Sequence, residues 1–411
     1  MNTIPVVATL LSPVSISSRH KVAGDVPGTL HFLPGSAIRG ALATNFIRAG
    51  GSEESDEFKR LFLSDEVRFG NLYPGRDGKP IPLTAWTCKA KPGFDSDGGH
   101  GVWDLLLALA AKRLFNREIV GPACQGHGNR RKVDLERFAG FYGYDSDRKK
   151  WKKSGPDARI VARTSVCSPL GTAKYGQLYS LEALEEGQLF RGFIGCCKGD
   201  LSALQNYLIQ VNEPHGQARK ELFLGTARNR GLGKVKVELL DGRQDINLYG
   251  RGKDDQRKRF CNFNKVLRSL AGNGRDGKSY FSLTLDSDVI IQDDLLRYMS
   301  YLDPKVIRED LLSRTGHDHA WLENTELILH VSATRRLSGW NERHGLPKDE
   351  ALAISMGSVF LYRYDGNDDD TLLNGLQELE REGLGQRRKE GFGYVCACDP
   401  FHVQFYGGEM P

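Results

Sequence analysis

Apolar residues recur at helical spacing in several parts of this chain. Trp103, Leu106, Leu107, Ala110 and Leu114 predict a helix over Val102–Phe115, and an apolar period leading on from Leu33 to Ile47 predicts another. Leu201, Leu204, Tyr207 and Leu208 predict a third, and Leu372, Leu373, Leu376 and Leu379 a fourth that begins near Thr371 after an acidic turn. Short β segments at Val6–Leu11 and Ser279–Ile291 precede these helices.

The last two helices lie in matching surroundings. Leu224-Gly225-Thr226-Ala227-Arg228-Asn229-Arg230-Gly231-Leu232-Gly233-Lys234-Val235 aligns without a gap on Leu384-Gly385-Gln386-Arg387-Arg388-Lys389-Glu390-Gly391-Phe392-Gly393-Tyr394-Val395. Upstream, Gly187-Gln188-Leu189-Phe190-Arg191 matches Gly357-Ser358-Val359-Phe360-Leu361. Two anchors in one order, joined by a helix in each copy, indicate a duplicated unit of strand, helix, glycine-rich loop and strand. With a further strand ahead of each copy, the expected fold is α+β, two tandem ferredoxin-like (RRM-like) domains. Such domains carry helices on one sheet face and leave the other for a ligand. The turn-rich Ala271–Lys278 sets the expected boundary, giving domains 1–275 and 276–411. The first holds an insertion over about 75–157 and a protruding β-hairpin over about 162–180.

Composition agrees with two globular units. A single core rarely grows past about 250–300 residues, and the chain has 411. Hydrophobic residues at 39% and charged residues at 27% exclude wholesale disorder. No apolar run approaches the ~20 residues of a membrane span, and Met1–Ser18 reads as strand and turn rather than a secretory leader. The eight cysteines form no paired framework, which points to a reducing cytoplasm.

Charge changes the picture more. The net +5 conceals a local +8 over Ala111–Arg163 and +9 over Arg219–Lys278, so the remainder carries −12. Basic stretches on an otherwise acidic chain are the footprint of a polyanion ligand. The Arg148–Lys153 cluster around Trp151 is equally well explained as a solvated loop. Both glycine-rich loops are basic: Arg228, Arg230 and Lys234 in the first, Arg387, Arg388 and Lys389 in the second. Gly231, Gly233, Gly391 and Gly393 allow close backbone approach to phosphates. Neither loop has the spacing of a P-loop or opens a helix as a dinucleotide fingerprint does. Ser36 is the expected N-cap of the helix carrying Arg39 and Gly40. On the hairpin, Arg163, Lys174, Tyr175 and Tyr179 combine charge with aromatic faces, as single-stranded RNA requires.

At these residues the sequence resembles a known family. LPGSAIRGALA (Leu33–Ala43), the ARTS…GTA…GQLYSLEALEEGQLFRG stretch (Ala162–Gly192) and the terminal glycine-rich loop are similar to the RAMP superfamily of CRISPR effector subunits. FGNLYPG (Phe69–Gly75), PLTAWTCKAKPGF (Pro82–Phe94), HGVWDLLL (His100–Leu107), QDDLLRY (Gln292–Tyr298) and GWNERHGLPKDEA (Gly339–Ala351) resemble one branch, the Csx-ten-type, Cas-five-group subunit of type III-D systems. The resemblance implies a non-catalytic subunit of an antiviral ribonucleoprotein that grips the 5′ handle of CRISPR RNA. It implies a large Cas-ten-type subunit and backbone RAMP subunits as partners, with target RNA met indirectly. It also makes the hairpin the thumb laid across the guide.

Some relatives cut RNA, which makes a metal-independent endoribonuclease the alternative, with His20 the candidate base and Asp25 near it in sequence. His317 and His319 are accounted for by a loop between helices. No cofactor is expected: where the resemblance implies a Cys-x-x-Cys pair in the insertion, this chain has Cys124-Gln125-Gly126-His127. Zinc at Cys124 and His127, with Cys88 and His100 near in sequence, is an alternative that lacks the usual paired spacing. Cys396 and Cys398 alternate on a strand and read as core.

Overall fold

A computed structural model describes residues 2–17, 28–117, 124, 134–145, 147–167, 172–196, 221–239, 253–271, 277–341 and 345–407. The first half opens with β1 (Asn2–Leu10), α1 (Gly35–Arg48), β2 (Val67–Phe69) and β3 (Tyr73–Pro74). The insertion follows as β4 (Lys79–Pro80), β5 (Ala85–Cys88), β6 (Val102–Asp104), α2 (Leu106–Phe115), β7 (Leu135–Arg137), β8 (Phe141–Asp145) and β9 (Lys150–Ser154). A long hairpin, β10 (Ala158–Cys167) and β11 (Thr172–Leu184), leads to β12 (Leu189–Cys196), β13 (Glu221–Phe223) and β14 (Lys234–Leu239). The second half comprises α3 (Lys253–Ala271), β15 (Ser279–Leu285), α4 (Pro304–Thr315), β16 (Thr325–Val331) and a second hairpin, β17 (Thr334–Asn341) with β18 (Leu346–Ile354). It closes with β19 (Val359–Tyr364), α5 (Asp369–Glu382), β20 (Val395–Ala397) and α6 (Phe401–Gln404).

The two sheets repeat one topology. The first runs β13-β14-β1-β12-β2, with β3 also on β12, and the second runs β20-β15-β19-β16. Each central ladder is antiparallel, and each has the 4-1-3-2 strand order of a ferredoxin-like domain once the edge strand β13 is set aside. Each half also inserts its hairpin just ahead of the third strand. The hairpin bases are pinned alike: Val14 bridges Leu184 in the first half and Val289 bridges Ile354 in the second.

Three expected boundaries move. Val102–Phe115 is not one helix, because Val102–Asp104 pairs with β5 and the helix starts at Leu106, whose N–H donates to Asp104 Oδ1 at 2.9 Å. The strand expected over Ser279–Ile291 ends at Leu285. Ser36 does not cap α1, which starts a residue earlier; Pro34 occupies the N-cap position and the Gly35 N–H donates to Asn71 Oδ1 at 3.0 Å. The helix expected over Leu201–Leu208 falls outside the described residues.

Among the described residues the second sheet is covered on both faces, whereas the first sheet is covered on its outer face only toward β2, where Phe193 packs on Tyr394 and Arg68 is buried. On β15, Tyr280, Ser282 and Thr284 share one face and Phe281, Leu283 and Leu285 the other, and all seven strand residues are buried. Phe281 meets Trp321, whereas Tyr280 meets Phe115 of α2 and Thr284 meets His402 of α6. Helix α3 closes over the same strand, Asn264 bonding both main-chain groups of Tyr280. Thus α2, from the insertion, and α3, which precedes residue 275 in sequence, both pack in the second core. The rest of the insertion follows them, with Phe94, Phe138 and Tyr142 around Phe401 and Phe405. In the first sheet, Ile4, Val6, Ala8 and Leu10 face the core with α1. Toward β14 the opposite face carries Thr9, Lys234, Lys236 and Glu238, all half-buried.

Candidate RNA interface

The duplicated loops have one backbone. Gly225, Ala227, Gly231 and Gly233 have φ of 76°, 57°, 81° and 87°, and Gly385, Arg387, Gly391 and Gly393 have 71°, 54°, 97° and 85°. Glycine is required where each loop crosses the chain after the first strand. A Cβ on Gly225 would lie 2.1 Å from the Ser15 carbonyl oxygen, and one on Gly385 would lie 2.1 Å from that of Ile290. The crossing is held by Thr226 N–H to Ser15 O (2.9 Å) and by Gln386 N–H to Ile290 O (2.8 Å).

Their surroundings differ. Asn229, Arg230 and Gly231 at the tip of the first loop are exposed. This loop abuts the hairpin, where Arg163 and Tyr179 are direct cross-strand partners. Arg163 Nη1 donates to the Arg230 carbonyl at 3.1 Å, and Arg230 Nη1 donates to the Tyr179 hydroxyl. The Arg230 guanidinium also sits 5.9 Å from the Tyr179 ring centroid, a cation–π contact. Beneath them, Leu232 packs with Leu181 and Ala183. Lys234, on the adjoining sheet face, pairs with Glu221 at 2.6 Å. Arg228 is half-buried in the same loop.

The second loop is instead a joint between the halves. Gly391 is buried, and a Cβ there would lie 2.5 Å from Asn71 Oδ1 and 3.0 Å from the Phe69 carbonyl oxygen. Arg388 donates to the Glu382 carbonyl at 2.9 Å and Lys389 to that of Leu63 at 2.7 Å, while Arg387 donates to that of Asp349 at 3.0 Å. Burial, with Arg314 and Arg68 close by, pulls the Arg388 guanidinium down to about 10. Arg39 belongs to the same joint, donating to Phe62 O at 2.7 Å and to Glu390 Oε1 at 3.0 Å, and Lys348 of the second hairpin closes on Glu390 at 2.9 Å. The N-terminus of α1 is closed by Asn71, and a Cβ on Gly35 would strike the Phe69 carbonyl. Gly40, by contrast, is exposed, with nothing within 4 Å of where its Cβ would lie.

The basic residues expected to act together therefore separate. Arg163, Tyr179, Arg230 and Gly231 converge at an exposed edge, with Arg228, Gly233 and Lys234 beside them. Arg39, Arg387, Arg388, Lys389, Gly391 and Gly393 are engaged with or beside the joint. Lys174 and Tyr175 lie on β11 with their side chains outside the described positions, and His20, Asp25 and His127 fall outside the described residues. His319 is buried, hydrogen-bonded to Thr315 at 3.2 Å and paired with Glu378 at 3.7 Å, so it serves the fold. Sequence reasoning missed Asn71, Arg68 and the second hairpin. The hairpin had a signal, since Leu184 and Ile354 precede matching glycines by three residues in both copies.

Comparison with known proteins places the chain. The model of the RAMP superfamily matches residues 7–236. No curated protein matches. Among solved structures, one similar chain is from the cryo-EM structure of the type III-B Cmr-beta assembly bound to cognate target RNA and AMPPnP. It is 12% identical over 91% of this chain and 93% of its own, with a TM-score of 0.42. A Cas6 product complex is 10% identical over 96% of this chain and 100% of its own, with a TM-score of 0.37. Among the described residues no helix is long and apolar enough to cross a membrane.

Proposed function

The chain belongs to the RAMP superfamily, and from that premise we propose that it is a non-catalytic CRISPR RNA-binding subunit of a type III-D effector ribonucleoprotein in antiviral defence. In this reading it holds the 5′ handle of the guide and joins a large Cas-ten-type subunit to the RAMP backbone. The observation that carries the proposal is the exposed edge where the first glycine loop meets the hairpin. It presents cation, aromatic ring and positive-φ backbone together, a combination that suits an unpaired RNA strand. The half-buried Lys234 and Lys236, on the adjoining face of the first sheet and paired with Glu221 and Glu238, continue from it. The second sheet offers no such face, because α2, α3 and α6 fill it.

A protein neighbour is supported elsewhere. Leu295 and Leu296 are 67% and 74% exposed at the tip of a turn that Arg297 locks onto Asp293, with Nε to Oδ2 at 2.8 Å. A fixed apolar tip suits an assembly contact.

The deciding experiment is to co-purify the chain with its assembly and sequence the bound RNA from its 5′ end. The retained RNA is expected to start with a repeat-derived handle. Combined Arg228→Ala and Arg230→Ala substitution is expected to weaken RNA retention and flatten its salt dependence. Unchanged retention in that double variant would refute the placement of RNA at this edge.

A further inference from the structure

Within the insertion, three side chains from separate segments converge. Cys88 ends β5 and is fully buried, His100 lies in the loop before β6, and Cys124 follows α2. Their ligand atoms all lie within 4.8 Å of one another, and His100 Nδ1 is 3.4 Å from Cys124 Sγ. We propose that Cys88, His100 and Cys124 form a zinc site that clasps the insertion.

The spacing is that of a coordination sphere slightly open. With Zn–S near 2.3 Å and Zn–N near 2.0–2.1 Å, a tetrahedral site has S···N edges of about 3.6 Å and S···S edges of about 3.8 Å. The His100–Cys124 edge is already there. Bringing the remaining edges in from 4.8 Å or less needs only rotamer adjustment. Two thiolates with one imidazole make a soft donor set, which selects zinc over magnesium or calcium. Two thiolates also neutralise the dication, which a wholly buried position such as Cys88 demands. Metal entry displaces the two thiol protons to solvent.

Two donors are set in place before any metal arrives. Cys88 sits on the central strand of the β6-β5-β7 sheet, opposite Leu135. The intervening loop is stitched to itself: His100 N–H donates to Lys91 O at 3.0 Å, Gly101 N–H to Gly93 O at 3.0 Å, and Gly93 N–H to Thr87 Oγ1 at 2.9 Å. This returns His100 to the end of β5. Cys124 then ties the chain beyond α2 to that sheet. Because α2 packs in the second core, the clasp would fix the insertion at the place where it crosses between the halves. The ligands stand twelve and twenty-four residues apart, so no paired motif marks them in the sequence.

The test uses the full chain purified without chelator. Elemental analysis is expected to find about one equivalent of zinc, released by a thiol-blocking mercurial and read with a metallochromic dye. Cobalt(II) replacement is expected to give thiolate-to-metal charge-transfer bands and the intense visible bands of a tetrahedral site. Cys124→Ser and His100→Ala should each lower bound zinc at least tenfold, while Cys261→Ser, at an exposed cysteine elsewhere, should not. If Cys88→Ser fails to fold, alkylation of wild-type protein supplies the second measurement, with Cys124 labelled only after zinc removal. Zinc-free wild-type protein that takes up no cobalt, or a full equivalent retained by Cys124→Ser and His100→Ala, would overturn the proposal.

Discussion

Arg68, on β2 of the first sheet, donates to both the main-chain carbonyl and the carboxylate of Glu382, at 2.8 Å and 3.1 Å, where α5 of the second half ends. It donates as well to the Arg381 carbonyl at 3.0 Å. Arg314 and Arg388 reach the Gly383 and Glu382 carbonyls at 2.9 Å each, so three guanidinium groups complement one helix C-terminus. Burial alone would raise the Glu382 carboxyl, but Arg68 and Arg381 outweigh it and hold it below its ordinary range. The joint between the halves is thus built from polar groups that are costly to leave unpaired.

Arg68→Ala should therefore lower unfolding stability by about 3–5 kcal/mol, the cost of breaking a buried pair from one side. Adding Glu382→Gln should recover part of the loss, since one stranded charge is removed. Denaturant titration of the two variants checks this; an Arg68→Ala loss below about 1 kcal/mol, the range of surface pairs, would show that the joint is not a stability element.

Much of the fold was legible because it is a repeat. Strand, helix, loop and strand recur with glycines at fixed places, and the positive-φ positions coincide in the two copies. The difference between the copies was not legible. Arg388 and Arg228 occupy matching positions in similar sequence, yet one is held on the Glu382 carbonyl in the joint and the other lies in a loop whose tip meets Tyr179. What separates them is tertiary: β2 and α1 of the first half lie against the second loop, and the hairpin against the first. Similarly, β15 reads as an ordinary half-buried strand until α2, α3 and α6 arrive on its second face. Contacts between residues hundreds of positions apart leave no local period. The convergence of Cys88, His100 and Cys124 was drawn in the sequence only as an unpaired alternative for the same reason, since β5 and a folded-back loop bring the three together.

Gly40 provides a test in which stability and binding move in opposite directions. It lies inside α1, exposed, with open space where a side chain would project. Gly40→Ala should stabilise the chain by roughly 0.5–1 kcal/mol, because alanine loses less conformational freedom in a helix. Gly40→Glu should keep most of that gain and still weaken RNA binding, by placing an anion where the strand is expected to approach. Thermal unfolding alongside RNA titration would measure both, and full RNA affinity in Gly40→Glu would remove α1 from the interface.

His402 sets a pH dependence at the seam between insertion and second half. It is fully buried, with Nδ1 3.1 Å from Asp104 Oδ1 and Nε2 2.8 Å from Thr284 Oγ1. Burial lowers its proton affinity, but Asp104 and Asp399 more than compensate, so its pKa is raised above the ordinary value. A raised folded-state pKa stabilises fully below the unfolded value of about 6.5 and loses that contribution as pH climbs through the folded value. The denaturation midpoint should therefore fall on the alkaline side of about 6.5. His402→Gln should be less stable at low pH yet flatter over that window. An identical slope in both proteins would assign the pH dependence to other groups.

Arg163 separates positioning from contact at the RNA edge. Its guanidinium holds the Arg230 carbonyl at 3.1 Å, which fixes the loop tip against the hairpin, and the Arg230 guanidinium lies against Tyr179 in turn. If RNA lies along the loop as proposed, Arg228→Ala removes a phosphate contact and should reduce the salt slope of RNA binding by about one. Arg163→Ala should weaken binding with a smaller change in slope, because the cation it removes is engaged with the Arg230 carbonyl. Tyr179→Ala should cost about 1–3 kcal/mol if a base stacks there, and Tyr179→Phe should recover most of it, since the ring remains and only the Arg230 hydrogen bond is lost. Filter binding across a salt series measures all four variants. Equal slope changes for Arg163→Ala and Arg228→Ala would mean that both cations meet the backbone directly, and that the hairpin holds RNA on its own rather than through the loop.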